Sequence, residues 1–460
     1  MSTTRPKPLI TGLAAAFVFA LVVSALILLV PQGERQAFDQ NTFHYRTIAR
    51  FAAVGGLPLP SFADYESATT PGYHYLLAWV HRFSGGNLTT LRLTGALWGI
   101  ALVGLMAGAL ARRGGSTLTG LALTLPLACS LYIVSASTGL LPDGAAWCLV
   151  AAMLILALRP RISISTLAAM GGVLLGLVLV RQIHLWAAAL MVAAAWANTG
   201  GADVPSANRA RLTHSALAGL FALPAALALA WFFNLWGGPV PPAFSAAGSP
   251  LTTHEYTRVS GLSPLTPGFV LALIGGLSVF YSGFLWPTLR RGNWLTHALI
   301  AAALGCIVAA LPLSTWSLEA GRYSGLWNLV KRLPTFADRS PVIILAAGLG
   351  AASLVLWWKA CAPRERIVLG AGLLAFTTAH SAQALVWQRY SEPLLLMLMS
   401  LTAAGITGRA SGGANVPSAD SPPRWACLGP LVLALANAAI TAAAMMADKN
   451  PAPALGVVVP

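Results

Sequence analysis

Charge is what this sequence holds least of. Its 460 residues carry 28 Lys and Arg and 13 Asp and Glu, 9% charged, where an ordinary soluble domain has roughly 25%. A water-facing surface cannot be covered with so few charges, and a disordered chain would not be 57% hydrophobic, so both classes are excluded. Cysteine is scarce as well. Cys129, Cys148, Cys306, Cys361 and Cys427 lie apart, mostly inside apolar runs and without a CxxC pair, so neither a disulfide framework nor a metal site follows. HExxH, GxSxG and P-loop patterns are missing, which argues against zinc chemistry and nucleotide hydrolysis. The two halves show no repeat, which speaks against an inverted-repeat transporter.

What is present is apolar and basic. The net charge of +15 sits in short runs between apolar segments: Arg112-Arg113, Arg159 with Arg161, Arg209 with Arg211, Arg290-Arg291, Arg364 with Arg366. That is how topology is written in a membrane protein, not how nucleic acid is bound. Residues 9–30 form an uncharged run long enough to span a bilayer and too long for a signal core, so it reads as an uncleaved first helix. Further apolar segments lie near 91–111, 116–137, 144–158, 164–180, 184–197, 215–236, 266–287, 295–313, 341–358, 367–387, 391–407 and 426–446. The expectation is an all-α polytopic membrane protein, a single domain over 1–460 with about thirteen transmembrane helices, acting as a monomer.

With the N-terminus cytoplasmic, all five basic runs fall inside. Glu34, Asp39, Asp64, Glu66, Asp143, Glu255, Glu319, Asp338, Glu392 and Asp448 fall outside, leaving Asp203, Glu365 and Asp420 inside. The positive-inside rule does not demand that asymmetry of acids. The long loops 31–90, 237–265 and 314–340 are also external, while the Gly/Ser/Pro-rich stretches 198–214 and 408–425 read as cytoplasmic linkers. The working surface is therefore expected on the outer face. An Ala-rich chain with Arg over Lys points to a bacterial inner or plasma membrane.

The first outer loop concentrates polar chemistry in Phe38-Asp39-Gln40-Asn41-Thr42-Phe43-His44-Tyr45 and in Asp64-Tyr65-Glu66-Ser67-Ala68-Thr69-Thr70-Pro71-Gly72-Tyr73. A carboxylate held close to the bilayer, as Asp39 would be, suits a general base; it equally suits a solvated loop acid or a cap on a helix from Asn41. Asp64 and Glu66 carry the same alternatives. Residues 41–53 read as an amphipathic interfacial helix, with Phe43, Thr47, Ile48, Phe51 and Ala52 on one face and Arg46 and Arg50 on another. Such a helix lines a head-group site or seals the loop.

Arg181-Gln182-Ile183-His184-Leu185-Trp186 interrupts an apolar stretch, and an arginine there either faces an anionic partner or snorkels. His184 reads as structural. Arg389, in Trp387-Gln388-Arg389-Tyr390-Ser391-Glu392, is a second candidate for an anion, or a partner of Glu392 across one turn. Asp143 caps the next helix or joins the outer cavity. The stretch Gly321-Arg322-Tyr323 to Lys331-Arg332 alternates basic and aromatic residues near the same face.

Taken in order, these elements resemble the membrane-embedded GT-C glycosyltransferases, most of all the family that adds the terminal α-1,2-glucose to lipid-linked oligosaccharide. Asp39…Phe43-His44 is similar to that family's Asp-Glu-x-Phe-His element, and Asp64…Thr69-Thr70-Pro71-Gly72-Tyr73 to its Asp…Thr-Thr-x-Pro-Gly-x-Tyr element. Tyr132…Asp143, Arg181-Gln182…Trp186, Asn234-Leu235-Trp236-Gly237-Gly238 and Gln388-Arg389-Tyr390 follow in the family's sequence. Gln40 stands where the family has Glu, with one extra residue before Phe43.

The resemblance implies a GT-C-like bundle whose long first loop carries short interfacial helices. It implies inverting transfer of a hexose, glucose favoured, from a polyprenyl-phosphate carrier to a lipid-linked or envelope glycan. Asp39 is then the general base; His44, Asp64, Glu66 and Asp143 hold the acceptor; Arg181, Gln182 and Arg389 hold the donor phosphate. No cofactor is implied beyond that donor, and metal independence is expected. A transporter or flippase for an anionic or lipid-linked substrate, and a non-catalytic subunit of envelope-polysaccharide assembly, are the alternatives.

Overall fold

The computed structural model describes residues 7–32, 40–54, 59–198, 205–245, 261–317, 322–412 and 421–447. Helix α1 (Pro8–Leu29) is followed in the first long connection by α2 (Arg46–Val54) and α3 (Gly72–Phe83). Then come α4 (Leu88–Gly114), α5 (Thr117–Ala128), α6 (Leu131–Thr138), α7 (Asp143–Ala157), α8 (Ile164–Val180), α9 (Ala188–Trp196) and α10 (Pro205–Trp236). The second half runs through α11 (Pro242–Ser245), α12 (Thr266–Arg290), α13 (Leu295–Ala310), α14 (Leu326–Val330), α15 (Pro341–Ala360), α16 (Pro363–Ser381), α17 (Gln388–Gly412) and α18 (Leu428–Ala447). Among the described residues there is no β-strand, only bridges pairing Ser317 with Arg322 and Phe336 with Arg339.

Each apolar segment of the sequence has become helical, but not each is a crossing. Seven helices (α1, α4, α10, α12, α15, α17 and α18) are long and apolar enough to cross a membrane, and α5 with α6 make an eighth if taken as one bent span. Helices α7, α8 and α13, and the segment Gln182–Trp196, are apolar but shorter. The protein is thus an all-α, multi-pass integral membrane protein, with seven or eight full-length spans among the described residues where about thirteen were expected. The linker expected over 198–214 is helical from Pro205, a residue pre-set for the start of a helix.

Small residues let the first span lie close to α4. A Cβ placed on Gly12 would meet the Gly104 carbonyl oxygen at 2.7 Å, and one on Gly104 would meet the Ala16 side chain at 3.0 Å. This small-xxx-small contact brings backbones together where hydrocarbon supplies no hydrophobic drive.

The segment expected as one span over 116–137 is broken, and the division expected between 180 and 184 is present, each for a visible reason. Pro126 removes a hydrogen bond near the end of α5, Ser130 caps α6, and the chain turns by 72°. The carbonyls released there are taken by α18: Asn437 Nδ2 donates to Pro126 O at 3.0 Å and Thr441 Oγ1 to Cys129 O at 3.0 Å. After α8, Arg181 is extended (φ −151°, ψ 114°) and a 3₁₀ turn, Gln182–Ala187, leads into α9. Here Thr70 Oγ1 donates to the freed Val178 carbonyl at 2.6 Å.

At one end of the bundle, Glu365 at the start of α16 is buried between Arg113 of α4 and Arg409 of α17. Arg113 donates to its carboxylate, Arg409 donates to both oxygens at 2.8 and 2.9 Å, and Arg113 Nε also reaches Leu401 O at 2.9 Å. Glu365→Gln leaves two arginines facing each other without a counter-charge, so a loss of about 3 kcal/mol or more is expected. Arg409→Gln is expected to cost far less, because that side chain is 41% exposed and Arg113 still holds the carboxylate. Thermal unfolding in detergent measures both; equal losses would move the energy of this clamp elsewhere.

Candidate functional site

Arg113 and Arg92 stand twenty-one residues apart on α4, about 30 Å at 1.5 Å per residue, which is the thickness of a hydrocarbon core. At the Arg92 end the broken helices open a cleft of two adjoining compartments. The larger, about 510 Å³, is walled by the end of α1, by Gln32 and Gln40, by the α6 residues Tyr132, Ser135 and Thr138, and by Arg92. The smaller, about 110 Å³, is walled by Phe43, His44, Ser67–Thr69, Arg181, Phe244 and Tyr390. Leu141, Asp143, Trp387 and Arg389 line both, so the two form one cleft.

The loop 59–72 walls the smaller compartment because it is fastened at several points. Gln182 Nε2 donates to Ala68 O at 2.6 Å and to Pro239 O at 3.0 Å, and its Oε1 accepts from Thr70 N at 3.1 Å. A Cβ on Gly72 would meet Leu179 O at 2.6 Å, so the Thr69–Gly72 turn docks directly on the end of α8. Behind it the amphipathic helix α2 buries Thr47, Ile48, Phe51 and Ala52. Ile48, Phe51 and Ala52 pack in an aromatic-rich cluster with Phe62, Tyr65, Tyr73 and Trp236. Of the two readings of this helix, the buried face fits the one that seals the loop.

Arg181 and Arg389 sit around one ring. The guanidinium carbon of each lies 5.0 Å from the Tyr390 centroid, and that of Arg389 also lies 4.1 Å from Trp387. Asp143, in the first turn of α7, pairs with Arg181; both are nearly buried. Glu392 does not take Arg389 across a helical turn: its carboxylate accepts from Ser130 Oγ at 2.7 Å and from Gln388. His44 Nδ1 and His74 Nε2 are 2.8 Å apart in two stacked, buried rings. Burial first, then the charges of Arg181 and Arg389, push His44 down to about 3. Burial and the His44 ring hold His74 well below the ordinary histidine value too.

Of the residues singled out from sequence, His44, Asp143, Arg181 and Arg389 meet in the cleft. Asp64, Glu66 and Gln182 line neither compartment. Asp64 accepts from Ala243 N at 2.6 Å, tying two loops together, and Glu66 stands 4.0 Å from Arg46. Asp39 lies outside the described residues. Its neighbour Gln40 is fully buried, exchanges two 2.9 Å amide hydrogen bonds with Gln32 and accepts from Leu140 N at 3.2 Å. A glutamate at 40 could not donate to Gln32. Among the described residues no three His, Cys, Asp or Glu side chains gather in metal-ligand proximity. His184 accepts from Trp186 Nε1 at 3.2 Å within the core, in keeping with a structural role. Sequence reading missed Arg92, His74 and Tyr390; a lone arginine just inside an apolar segment was the available sign for the first.

The histidine pair gives the fold a pH dependence. Unfolded, each ring takes a proton as pH falls below about 6.5, whereas folded neither does until far lower. Stability is therefore full above that pH and falls as pH drops toward 3, by about 1.4 kcal/mol per unit for each ring. Thermal unfolding between pH 7.5 and 5 is expected to show this slope, and His44→Gln with His74→Gln to reduce it by the share of these two rings. An unchanged slope in the double variant would assign the effect to other buried histidines.

The chain is similar to a solved structure of ArnT from Cupriavidus metallidurans in the apo state, with 14% identity over 85% of this chain and 77% of that one, at a TM-score of 0.34. It is also similar to the ArnT structure from that organism bound to undecaprenyl phosphate, with 16% identity over 95% and 78% of the two chains, at a TM-score of 0.37. Likeness at that level decides neither the fold nor the chemistry. No sequence-family model matches the chain, and no curated protein does.

Proposed function

We propose that the protein is an inverting GT-C-like glycosyltransferase that takes a hexose, with glucose favoured, from a polyprenyl-phosphate carrier. It passes the sugar to a lipid-linked or envelope glycan at the extracytoplasmic face of a bacterial inner membrane. The order of motifs supports the class. The observation that carries the chemistry is the placement of Arg181 and Arg389 around Tyr390, in a cleft whose walls hold one carboxylate, Asp143, among the described residues.

Transfer breaks the bond between the anomeric carbon and a phosphate oxygen, and the departing polyprenyl phosphate gains a negative charge. Guanidiniums fixed by ring stacking in a low-dielectric cleft stabilise that charge as it develops, without reorganising. An acceptor hydroxyl attacks the opposite face of the sugar and gives up its proton to a carboxylate base. Asp39 takes that role by its motif, one residue before the cleft-lining Gln40. Asp143 and the neutral His44 orient hydroxyls, since neither needs to change charge to hydrogen-bond them. Asp64, Glu66 and Gln182 act through the loop they hold.

The test is sugar transfer by purified protein supplied with polyprenyl-phosphate glucose and an acceptor-containing lipid extract. Asp39→Asn is expected to abolish transfer with unfolding unchanged, and Arg181→Gln to lower kcat by about 10²-fold or more. Full activity in Asp39→Asn would move the base to Asp143, the carboxylate among the described wall residues. Absence of transfer from every polyprenyl-phosphate sugar tried would favour the transporter reading.

A further inference from the structure

Away from the cleft, a groove of about 400 Å³ runs along the bundle between α12, α15, α16 and α17. Small residues leave it open. Gly275 and Gly350 bring the backbones of α12 and α15 together, while Gly372 seats α16 on Leu190 of α9, so the two pairs close separately and a gap remains between them. Ile274, Trp357 and Leu373 are among its walls, and Arg366 is its one charged wall residue among those described. Leu395 and Leu398 bury the back of the groove, whereas Leu374 and Trp358 are exposed at its rim, so it opens sideways to lipid.

Length and charge say what fits. Arg366 and Thr377, the first and last wall residues on α16, are eleven residues or about 16 Å apart, half of a hydrocarbon core of about 30 Å. One acyl chain of one leaflet covers that distance. Lipid tails are as apolar as the walls, so a chain gains little by leaving the bilayer for the groove, and selection falls to the polar end. There Arg366 Nε donates to Cys361 O at 3.0 Å and Nη2 to Lys359 O at 3.2 Å, so the carbonyls at the end of α15 fix the guanidinium at the mouth. Lys359 and Arg364 lie close by in sequence, and a basic cluster at the end of a span draws anionic head groups. Trp358 covers the same mouth, its ring 2.9 Å from a Cβ placed on Gly370, as tryptophans do at head-group level.

The opposite end leads toward the cleft. His380, one turn beyond Thr377, has its ring 6.0 Å from that of Tyr390. A prenyl chain descending from a phosphate in the cleft brings only its apolar tip to Arg366, whereas a phospholipid of the other leaflet brings its phosphate there. We infer that the groove holds one acyl chain of an anionic phospholipid from the leaflet at the Glu365 end, with its phosphate at Arg366. The site is independent of the transferase reading.

Native mass spectrometry of the delipidated chain with dioleoyl phosphatidylglycerol tests it without any need for sugar transfer. The expected result is one high-affinity copy in wild type, lost in Leu373→Trp, which fills the groove, and kept in Arg366→Lys. Arg366→Gln is expected to weaken it about fivefold or more. A wild type without such a copy overturns the inference. So does an Arg366→Gln variant, or a folded Leu373→Trp variant, that binds as wild type does; should Leu373→Trp fail to fold, the Arg366 variants decide. Farnesyl phosphate is expected to bind without displacing the phospholipid, and displacement would give the groove to a prenyl chain and overturn the inference.

Discussion

Inside hydrocarbon a helix can end only where another group takes over its freed carbonyls, and this constraint shapes the cleft. The chain breaks within apolar depth twice, after Ala128 and after Val180. Each time a polar side chain from a distant segment supplies the missing donor: Asn437 and Thr441 at the first break, Thr70 at the second. Arg92 does the same for the ends of α6 and α1. The breaks are tolerated because they line a cavity and because these donors reach them.

The same economy explains which polar residues remain open to a ligand. Gln182, though it stands beside Arg181, spends its amide on the backbone of two loops. Glu392 is spent on Ser130 and Gln388. Arg181, Arg389 and Asp143 face the cleft together, with the His44 ring kept neutral by burial and by its arginine neighbours. A neutral imidazole adds hydrogen-bonding capacity there without adding charge.

Charge is handled differently at the two ends of α4. Around Glu365 two arginines converge on one carboxylate and close three helices together, a self-satisfied arrangement that asks for no ligand. Around Tyr390 two arginines lie against one ring, and one of them pairs with Asp143. About 30 Å of helix separates the Glu365 ion cluster from the end of α4 that faces the cleft.

Composition by itself determined that the chain belongs in a membrane, since nothing else accommodates so few charges. Periodicity and apolar runs located nearly every helix, because a bilayer imposes the same length on each span and uncharged runs are conspicuous. The identity of Arg181 and Arg389 as anion candidates was also legible, as arginine at membrane depth is costly and rare. The rest was decided in three dimensions. That Asp143 meets Arg181, that His44 meets His74 and that Thr70 completes α8 are contacts between residues 38, 30 and 108 positions apart. No local pattern encodes such pairings, because they depend on where two broken helices turn, and that turn is fixed by donors arriving from elsewhere in the bundle.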